Sequence, residues 1–363
     1  MEEEVLFNVE NSFGIITLNR PKTLNALTMN MIEKMRQTFT DWMTNDDIKA
    51  VIIKGAGDRA FCAGGDVRAV RQAIIDYQGV ENPKLAQDFF YEEYILNHQI
   101  HTSKKPYIAL IDRVCMGGGV GLSVHGSFRI ATERTLVGMP ETTIGLFPDV
   151  GGAWFLSRLP GEMGTYLALT GQPVHASDCF SLGIATHLVA SSSLDEVEEN
   201  IVRLEPQNIS FKTIDELLKK YSIAVGETPV IDLRSQIDSC FAEDSIEQII
   251  ENLRKQDNEF GRQSLELLEN KSPTSLKVTL EQIRRGAKAK DFGETMTMEY
   301  RMSQHFAKGK DFPEGVRALL VDKDHQPSWS PRLLSEVSDR MSSIDFRSID
   351  NGAEVKIKFL KNE

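Results

Sequence analysis

Two acidic residues, Glu141 and Asp149, lie in a segment, residues 138–152, that is otherwise rich in glycine, proline and apolar side chains. The apolar neighbours predict that both carboxyl groups are at least partly buried. Burial raises the pKa of a carboxyl group and makes it suitable for proton transfer near neutral pH. The alternative is that each acid caps a helix, Glu141 before TTIG and Asp149 before GGAWFLSRL. Gly145 and Pro148 prevent one helix from carrying both acids.

Two glycine-rich loops each follow a short apolar run, one within residues 52–67 (IIKGAGDRAFCAGGDV) and one at residues 116–121 (MGGGVG). Glycine has no Cβ, so backbone N–H groups in these loops can approach a ligand closely. One N–H group from each loop could donate to a carbonyl oxygen that becomes negative during a reaction. The alternative for the first loop is an ordinary turn that binds no ligand.

The sequences of these loops partly match the motifs of two other classes of protein. Residues 55–60 match the G-x-G-x-x-G/A pattern of dinucleotide-binding proteins, but the glycine pair at 64–65 would break the helix that such a site needs. Residues 121–125 (GLSVH) resemble the nucleophile elbow of serine hydrolases, but His125 replaces the small residue that this turn needs. Neither class is favoured.

A third acid, Glu93, lies in the sequence FFYEEYI, which has the pattern of a helix. His98 and His101 follow it and raise the possibility of a metal site. The Glu-x-x-His and HExxH patterns are absent, so we expect no metal here.

The elements that must position these residues form an α/β layer in the first part of the chain. Between the first two strands, apolar residues from Leu27 to Trp42 recur at helical spacing, with Thr28 or Asn30 as a possible cap. Strands alternating with helices imply mostly parallel pairing. After about residue 190 helical patterns dominate, including a helix that starts at Ser272-Pro273. The strands are predicted from β-branched runs at residues 13–18, 50–54, 107–111 and 128–131.

Composition excludes several classes of function. The chain has 363 residues and a formal net charge of −12, which argues against a basic surface for nucleic acid or anionic membranes. No apolar run reaches the roughly 18–20 residues that cross a bilayer. The four cysteines have no metal-binding spacing, so we expect reduced thiols. The first residues, MEEEV, and the last, KNE, show neither a transit peptide nor a peroxisomal signal.

Four motifs occur in order along the first half of the chain: NRPKTLNAL (19–27), AFCAGGDV (60–67), CMGGGVGLSVHG (115–126) and MPETTIGLFPDVGG (139–152). This ordered set resembles the enoyl-CoA hydratase/isomerase (crotonase) superfamily. Three further segments resemble its hydroxyacyl-CoA hydrolases in particular, and they extend the resemblance over nearly the whole chain: FFYEEYILN (89–97), SPTSLKVTLEQ (272–282) and DFPEGVRALLVDKD (311–324).

The resemblance implies an α/β fold, a crotonase-like spiral of β-β-α repeats followed by an α-helical C-terminal region. We divide the chain near residue 205, into an acyl-CoA-binding core at 1–205 and a helical region at 206–363. The resemblance also implies the site residues. These are oxyanion donors at Gly65 and Gly118, catalytic carboxyl groups at Glu141 and Asp149, a substrate-binding acid at Glu93, and candidate contacts to the CoA phosphates at Lys22, Lys54 and Arg68.

One departure from the superfamily pattern guides the expected reaction. Hydratases carry a first catalytic glutamate where this chain has Gly121, while Glu141 matches the second. Asp149 and Glu93 match acids of the hydrolases. We therefore expect hydrolysis of a hydroxyacyl-CoA thioester, with an isomerase or hydratase that uses Glu141 alone, or a non-catalytic acyl-CoA-binding protein, as alternatives.

The resemblance also bears on cofactors, partners and compartment. It implies no cofactor, because CoA is part of the substrate and product. The expected partner is a small acyl-CoA, with no nucleic acid and no membrane, and a homo-oligomer is possible. The superfamily members that degrade valine suggest the mitochondrial matrix, with the cytoplasm or the peroxisome as alternatives.

Overall fold

The computed structural model describes residues 3–77 and 82–338. The chain forms two compact units, each made of alternating segments. The first unit comprises residues 1–65, 96–138 and 173–231, and the second comprises residues 66–95, 139–172 and 232–363. The division near residue 205 stays a prediction about how the sequence is organised.

The first unit contains a six-stranded sheet. Its strands are buried runs of β-branched and other apolar residues, and all neighbouring pairs are parallel except the first, antiparallel pair. This confirms the strands predicted from the sequence and their mostly parallel pairing. In sheet order the strands are β1 (Val5–Glu10), β2 (Phe13–Leu18), β3 (Ala50–Gly55), β5 (Tyr107–Ile111), β7 (Phe128–Thr132) and β10 (His187–Val189).

A smaller sheet in the same unit consists of four very short strands. Its first three strands run parallel, and the fourth is antiparallel to the third. In sheet order they are β4 (Ala60–Cys62), β6 (Val114–Met116), β8 (Leu136–Gly138) and β9 (Val174–His175).

Helices complete both units. The helix predicted after β2 is confirmed, and Thr28 caps it by accepting a hydrogen bond from the Met31 N–H at 3.2 Å. The start at Ser272-Pro273 is confirmed in the same way, since Ser272 accepts from the Ser275 N–H. From residue 206 to residue 338 the chain forms helices and no strand. The α-helices are α1 (Met29–Thr44), α2 (Val67–Asp76), α3 (Lys84–His101), α4 (Gly118–Ser123), α5 (Gly152–Leu156), α6 (Met163–Thr170), α7 (Ala176–Ser181), α8 (Leu194–Val202), α9 (Phe211–Lys219), α10 (Pro229–Asp232), α11 (Arg234–Phe241), α12 (Ile246–Gln256), α13 (Glu259–Glu269), α14 (Pro273–Gly286), α15 (Phe292–Lys308) and α16 (Asp311–Val316).

The core of the first unit lies between one face of the large sheet and two helices. Alternate residues of β2, β3, β5 and β7 pack against Val197 and Ile201 of α8 and against Ile214 and Leu218 of α9. A strand's side chains point to opposite faces in turn, so this alternation places one whole face of the sheet in the core. The sheet thereby gives a rigid base to the loops that follow its strands.

Candidate active site

The two glycine loops leave neighbouring parallel strands, β4 and β6, at the same end. Cys62 of β4 is aligned with Cys115 of β6, so the residues after them emerge side by side. A Cβ atom added to Gly64 would lie 3.8 Å from the Gly118 nitrogen, and one added to Gly119 would lie 2.4 Å from the Cys62 oxygen. The loops are in contact. A side chain at Gly119 would clash with the first loop, and the φ of +108° at Gly64 favours glycine there.

Two amide groups at this contact have no partner. Among the residues that the structure describes, neither the Gly65 nor the Gly118 N–H donates a hydrogen bond, although Gly118 is buried. The neighbouring backbone groups are used, since the Leu27 N–H donates to the Gly64 oxygen at 2.9 Å and the Gly117 N–H donates to the Gly138 oxygen at 3.2 Å. Orphaned N–H groups are rare in folded proteins. Each of these two N–H groups is therefore available to a ligand.

The second unit gathers four carboxyl groups in its interior. Glu93 lies on α3, Glu141 begins a 3-10 turn at Glu141–Ile144, Asp149 lies in the loop before α5, and Glu299 lies on α15. None is more than 6 % exposed. Within the described part of the chain, Glu93 Oε1 and Glu141 Oε2 are buried and have no hydrogen-bond partner. Buried carboxyl oxygens without donors are costly, which marks these two groups as available to a ligand.

The four groups differ in their affinity for protons. Burial, and then the charge of Asp149, raise the pKa of Glu93 and of Glu141 well above the ordinary glutamate value. Burial also raises the pKa of Asp149, but only to about 6, because Tyr94 and the Asp149 backbone N–H donate to its carboxylate. Asp149 is therefore the acid of these three that ionises most readily.

Glu299 fixes the loop that carries Asp149. Its carboxylate accepts hydrogen bonds from the Gly151 N–H at 2.7 Å and from the Ala153 N–H at 2.8 Å. Gln282 also donates to Glu299, at 3.2 Å, and its other contact is the Pro148 oxygen at 2.7 Å. Burial raises the pKa of Glu299 to about 8, and the amide donors oppose that rise. The residues on both sides of Asp149 are thus held by the same two side chains.

A buried lysine stands near Glu141. The ammonium group of Lys271 lies 2.5 Å from the Thr143 hydroxyl oxygen, in the turn that Glu141 begins. Burial lowers the pKa of Lys271 to about 8, while the charge of Glu141 raises it. The attraction is mutual, so Lys271 favours the ionised form of Glu141.

The three candidate contacts to the CoA phosphates differ in their environments. Lys54 is paired with Glu198, its ammonium nitrogen 2.5 Å from Oε1 and 2.7 Å from Oε2. Lys22 and Arg68 are exposed, in the 3-10 turn Pro21–Thr23 and on α2. Lys22 and Arg68 thus stay accessible to an anion, whereas the charge of Lys54 is already neutralised by a neighbour.

The structure also decides between the readings of the glycine-rich sequences. No helix starts within residues 55–60, since β3 ends at Gly55, β4 follows at Ala60 and α2 begins only at Val67, so the dinucleotide pattern lacks its helix. Ser123 lies inside α4 and donates to the Gly119 oxygen at 3.0 Å, which is not the geometry of a nucleophile elbow. Among the described residues, no group of three or more His, Cys, Asp or Glu side chains could hold a metal ion. No helix in the same part of the chain has the length and apolar character to cross a membrane.

Sequence reasoning missed three residues of the carboxyl cluster. These residues are Tyr94, Lys271 and Glu299. Lys271 and Glu299 come from segments of the chain that are distant from the predicted acids. For Tyr94 a weak signal existed, because it follows Glu93 directly in an apolar helix. Glu299 stands among methionines in MTMEYRM, and an acid in so apolar a helix is a signal of the same kind.

Comparison with known proteins gives a consistent picture. The family model described as "Enoyl-CoA hydratase/isomerase" matches residues 13–346. The chain is 48% identical over 352 residues to "3-hydroxyisobutyryl-CoA hydrolase, mitochondrial" of Danio rerio, covering 96% of this chain and 90% of that protein. It is 46% identical to the protein of the same name of Homo sapiens, covering 96% and 89%. The crystal structure of a carnitinyl-CoA dehydratase from Mycobacterium thermoresistibile superposes with a TM-score of 0.90 at 37% identity, covering all of both chains.

Proposed function

The chain belongs to the enoyl-CoA hydratase/isomerase family, and from this premise we propose that it hydrolyses the thioester of 3-hydroxyisobutyryl-CoA to the free hydroxy acid and CoA. The observation that carries the proposal is the similarity, at 46–48% identity over nearly the whole chain, to relatives named for this hydrolysis. Hydrolysis of 3-hydroxypropionyl-CoA, which has the same thioester and 3-hydroxyl group, is a second expected activity.

The first step assigned to this chain is stabilisation of the thioester oxygen. When an oxygen nucleophile adds to the carbonyl carbon, the carbonyl oxygen becomes negative. The unpartnered N–H groups of Gly65 and Gly118 are the proposed donors to that oxygen. Loss of one such donor typically lowers the rate by about 10²–10³.

The proton transfers are assigned to Glu141 and Asp149. Glu141 acts in its ionised form, which burial disfavours and Lys271 favours. Either this carboxylate takes a proton from water as the C–O bond forms, or it attacks the carbonyl carbon itself and water hydrolyses the resulting anhydride. In both routes the C–S bond breaks and the sulfur leaves with its electron pair, to be protonated as the thiol of CoA. Asp149 assists by exchanging protons with the reacting groups or by polarising them. Two carboxyl groups whose pKa values differ are suited to such a division of roles.

Glu93 is assigned to the 3-hydroxyl group of the substrate. Its Oε1 atom is buried and lacks a donor, so a substrate hydroxyl would supply the missing hydrogen bond. A site built around a hydroxyl group strongly rejects an analogue that lacks it. Glu93→Ala should therefore impair 3-hydroxyisobutyryl-CoA much more than isobutyryl-CoA, and equal losses would reject this role.

The decisive experiment incubates the purified protein with a panel of acyl-CoAs while free thiol is monitored. We expect thiol release from 3-hydroxyisobutyryl-CoA, and its loss in folded Glu141→Gln and Asp149→Asn proteins. Near-normal turnover in both variants would remove these acids from the chemistry.

The same assay separates the rival functions. A change in the double bond of an enoyl-CoA without thiol release would identify an isomerase or hydratase that uses Glu141 alone. The high structural similarity to a protein titled carnitinyl-CoA dehydratase makes this the rival to test first. Tight binding of the thioester without turnover would instead identify a non-catalytic acyl-CoA-binding protein.

The proposed partner is the small acyl-CoA, and the proposed compartment is the mitochondrial matrix, because the similar hydrolases are named mitochondrial. The exposed Lys22 and Arg68 are the preferred candidates for the CoA phosphates, with Lys54 third because of its pairing with Glu198. A rise in KM on Lys22→Ala or Arg68→Ala that shrinks with added salt would support these contacts. If the KM of the parent protein does not change with added salt, contacts of Lys22 and Arg68 with the CoA phosphates are excluded.

A further inference from the structure

The side chain of Tyr94 contacts one of the proposed catalytic acids directly. Its hydroxyl group donates a hydrogen bond to Asp149 Oδ2 at 2.8 Å. Tyr94 is completely buried, and its ring centroid lies 6.1 Å from that of Phe90, which in turn packs against Phe312 at 6.3 Å. The ring is buried and packs against Phe90, which holds the hydroxyl group toward Asp149.

We propose that Tyr94 is a positioning residue, whose hydroxyl group orients the Asp149 side chain and keeps its carboxylate unprotonated near neutral pH. The inference rests on the proposed hydrolysis for its catalytic meaning. The contact itself, and its effect on the proton of Asp149, can be tested without any substrate.

The hydroxyl group can only act as a donor in this pair. Burial and the charges of Asp149 and Glu299 raise the pKa of Tyr94 well above the ordinary tyrosine value, so the phenol keeps its proton. A hydrogen bond to an ionised carboxylate is roughly twice as strong as one between neutral groups. The contact therefore stabilises the ionised form of Asp149 more than the protonated form.

The other titratable groups near Asp149 do not stabilise its ionised form. Glu93 on α3, Glu141 in its 3-10 turn and Glu299 on α15 are all acids, so none of them supplies a positive charge that would favour the ionised form of Asp149. The buried cation Lys271 interacts with Glu141. Besides the Asp149 backbone N–H, Tyr94 is the donor that favours the charge on Asp149.

The hydrogen bond from Tyr94 determines which of the neighbouring acids ionises first. With Tyr94 present, Asp149 ionises first, while Glu141 and Glu93 retain their protons to higher pH. Without the hydroxyl group, Asp149 would approach its neighbours in proton affinity. The difference between the acids, which a division of roles in proton transfer requires, would then shrink.

The test compares Tyr94→Phe with a matched control, Tyr107→Phe. Tyr107 is also buried, and its hydroxyl group donates one hydrogen bond, to the Leu122 oxygen at 2.9 Å. Each variant loses one buried hydroxyl group, but only Tyr94→Phe removes the donor to Asp149. A general effect of the lost hydroxyl group on stability would appear in both.

The first readout is the titration of Asp149 itself, followed by carbon-13 NMR in protein labelled at the aspartate carboxyl carbons. The Asp149 resonance is assigned by its disappearance in Asp149→Asn. We expect a pKa of about 6 in the parent protein and in Tyr107→Phe. In Tyr94→Phe the pKa should rise by roughly one unit or more, the effect of losing a hydrogen bond to a charged group. An unchanged Asp149 titration in Tyr94→Phe would overturn the inference, whether or not the protein hydrolyses thioesters.

The second readout is the pH dependence of kcat/KM for 3-hydroxyisobutyryl-CoA. A rise of one unit lowers the ionised fraction of Asp149 about fivefold near pH 6 but only slightly near pH 8. Tyr94→Phe should therefore lose activity mainly on the acid side, while Tyr107→Phe keeps the parent profile. A loss of the same size at every pH would show a merely structural role and would also overturn the inference.

Discussion

Replacing Asp149 by asparagine should make the protein more stable as it makes it inactive. The side chain is about 5 % exposed and carries its charge in the interior of the second unit. Asparagine has nearly the same shape and keeps an oxygen that can accept the hydrogen bond from Tyr94. The substitution thus removes the charge while leaving the main contact of the side chain in place.

The size of the effect follows from the pKa of Asp149 in the two states. In the unfolded chain it has the ordinary value of 3.8, and in the folded protein burial raises it to about 6. Between these values the folded state binds more protons than the unfolded state, so the free energy of unfolding falls as the pH rises. At about 1.36 kcal/mol per unit of pKa, the loss reaches about 3 kcal/mol above pH 6.

The prediction is a difference that grows with pH. The gain in unfolding free energy of Asp149→Asn over the parent should be about 1 kcal/mol near pH 4.5 and about 3 kcal/mol near pH 7.5, apart from a constant offset. The offset arises from the new amide group and does not depend on pH. Removal of the Asp149 charge also lowers the pKa of Glu93 and Glu141, which adds to the gain at high pH.

Urea unfolding at both pH values measures this difference, with Asp47→Asn, a change at an exposed turn residue, as the control. The control should show no comparable growth with pH. Thiol release from 3-hydroxyisobutyryl-CoA, measured on the same preparations, should be lost only in Asp149→Asn. If the difference in free energy of unfolding between Asp149→Asn and the parent is the same at both pH values, the argument that ionisation of Asp149 destabilises the folded protein is refuted.

Two further predictions concern the amide pair and the buried lysine. Gly64→Ala should lower kcat about 10²-fold, because Gly64 has a φ of +108°, and the strain of a side chain there would displace the N–H group of the next residue, Gly65. Gly183→Ala has a similar backbone strain, at φ +75°, but meets open space, so steady-state assays should find its kcat unchanged. Lys271→Met removes the cation that favours the ionised form of Glu141, so the acid limb of the pH–rate profile should move to higher pH. An acid limb that stays in place would separate Lys271 from the reaction.

The sequence was sufficient to predict four of the six strands of the large sheet, but not β1, β10 or the small sheet. Strands such as Tyr107–Ile111 are five or six apolar residues long, and their β-branched composition is recognisable. The strands Ala60–Cys62 and Val114–Met116 are only three residues long, too short for alternation to appear. Their pairing depends on neighbours distant in sequence, although it is this small sheet that brings the glycine loops into contact.

The site could be predicted in the same partial way. The burial of Glu141 and Asp149 was predicted from their apolar neighbours and is confirmed, whereas Glu93 was selected from the resemblance to a known superfamily. The residues that surround these acids could not be predicted from the sequence, because hydrogen bonds such as the one from the Gly151 N–H to Glu299 join residues 148 positions apart. No local pattern specifies such a contact, which follows from how distant helices pack.

The number of hydrogen-bond donors separates the structural acid of the cluster from the functional ones. Glu299 accepts from two backbone N–H groups and from Gln282, which is how a carboxylate that only supports a loop is satisfied. Asp149 accepts from Tyr94, whereas Glu141 Oε2 and Glu93 Oε1 accept from no group in the described part of the chain. A buried oxygen without a donor costs roughly 1–3 kcal/mol, and a purely structural role would give no return for it. This difference supports our proposal that the substrate supplies the missing hydrogen bonds to these two glutamates.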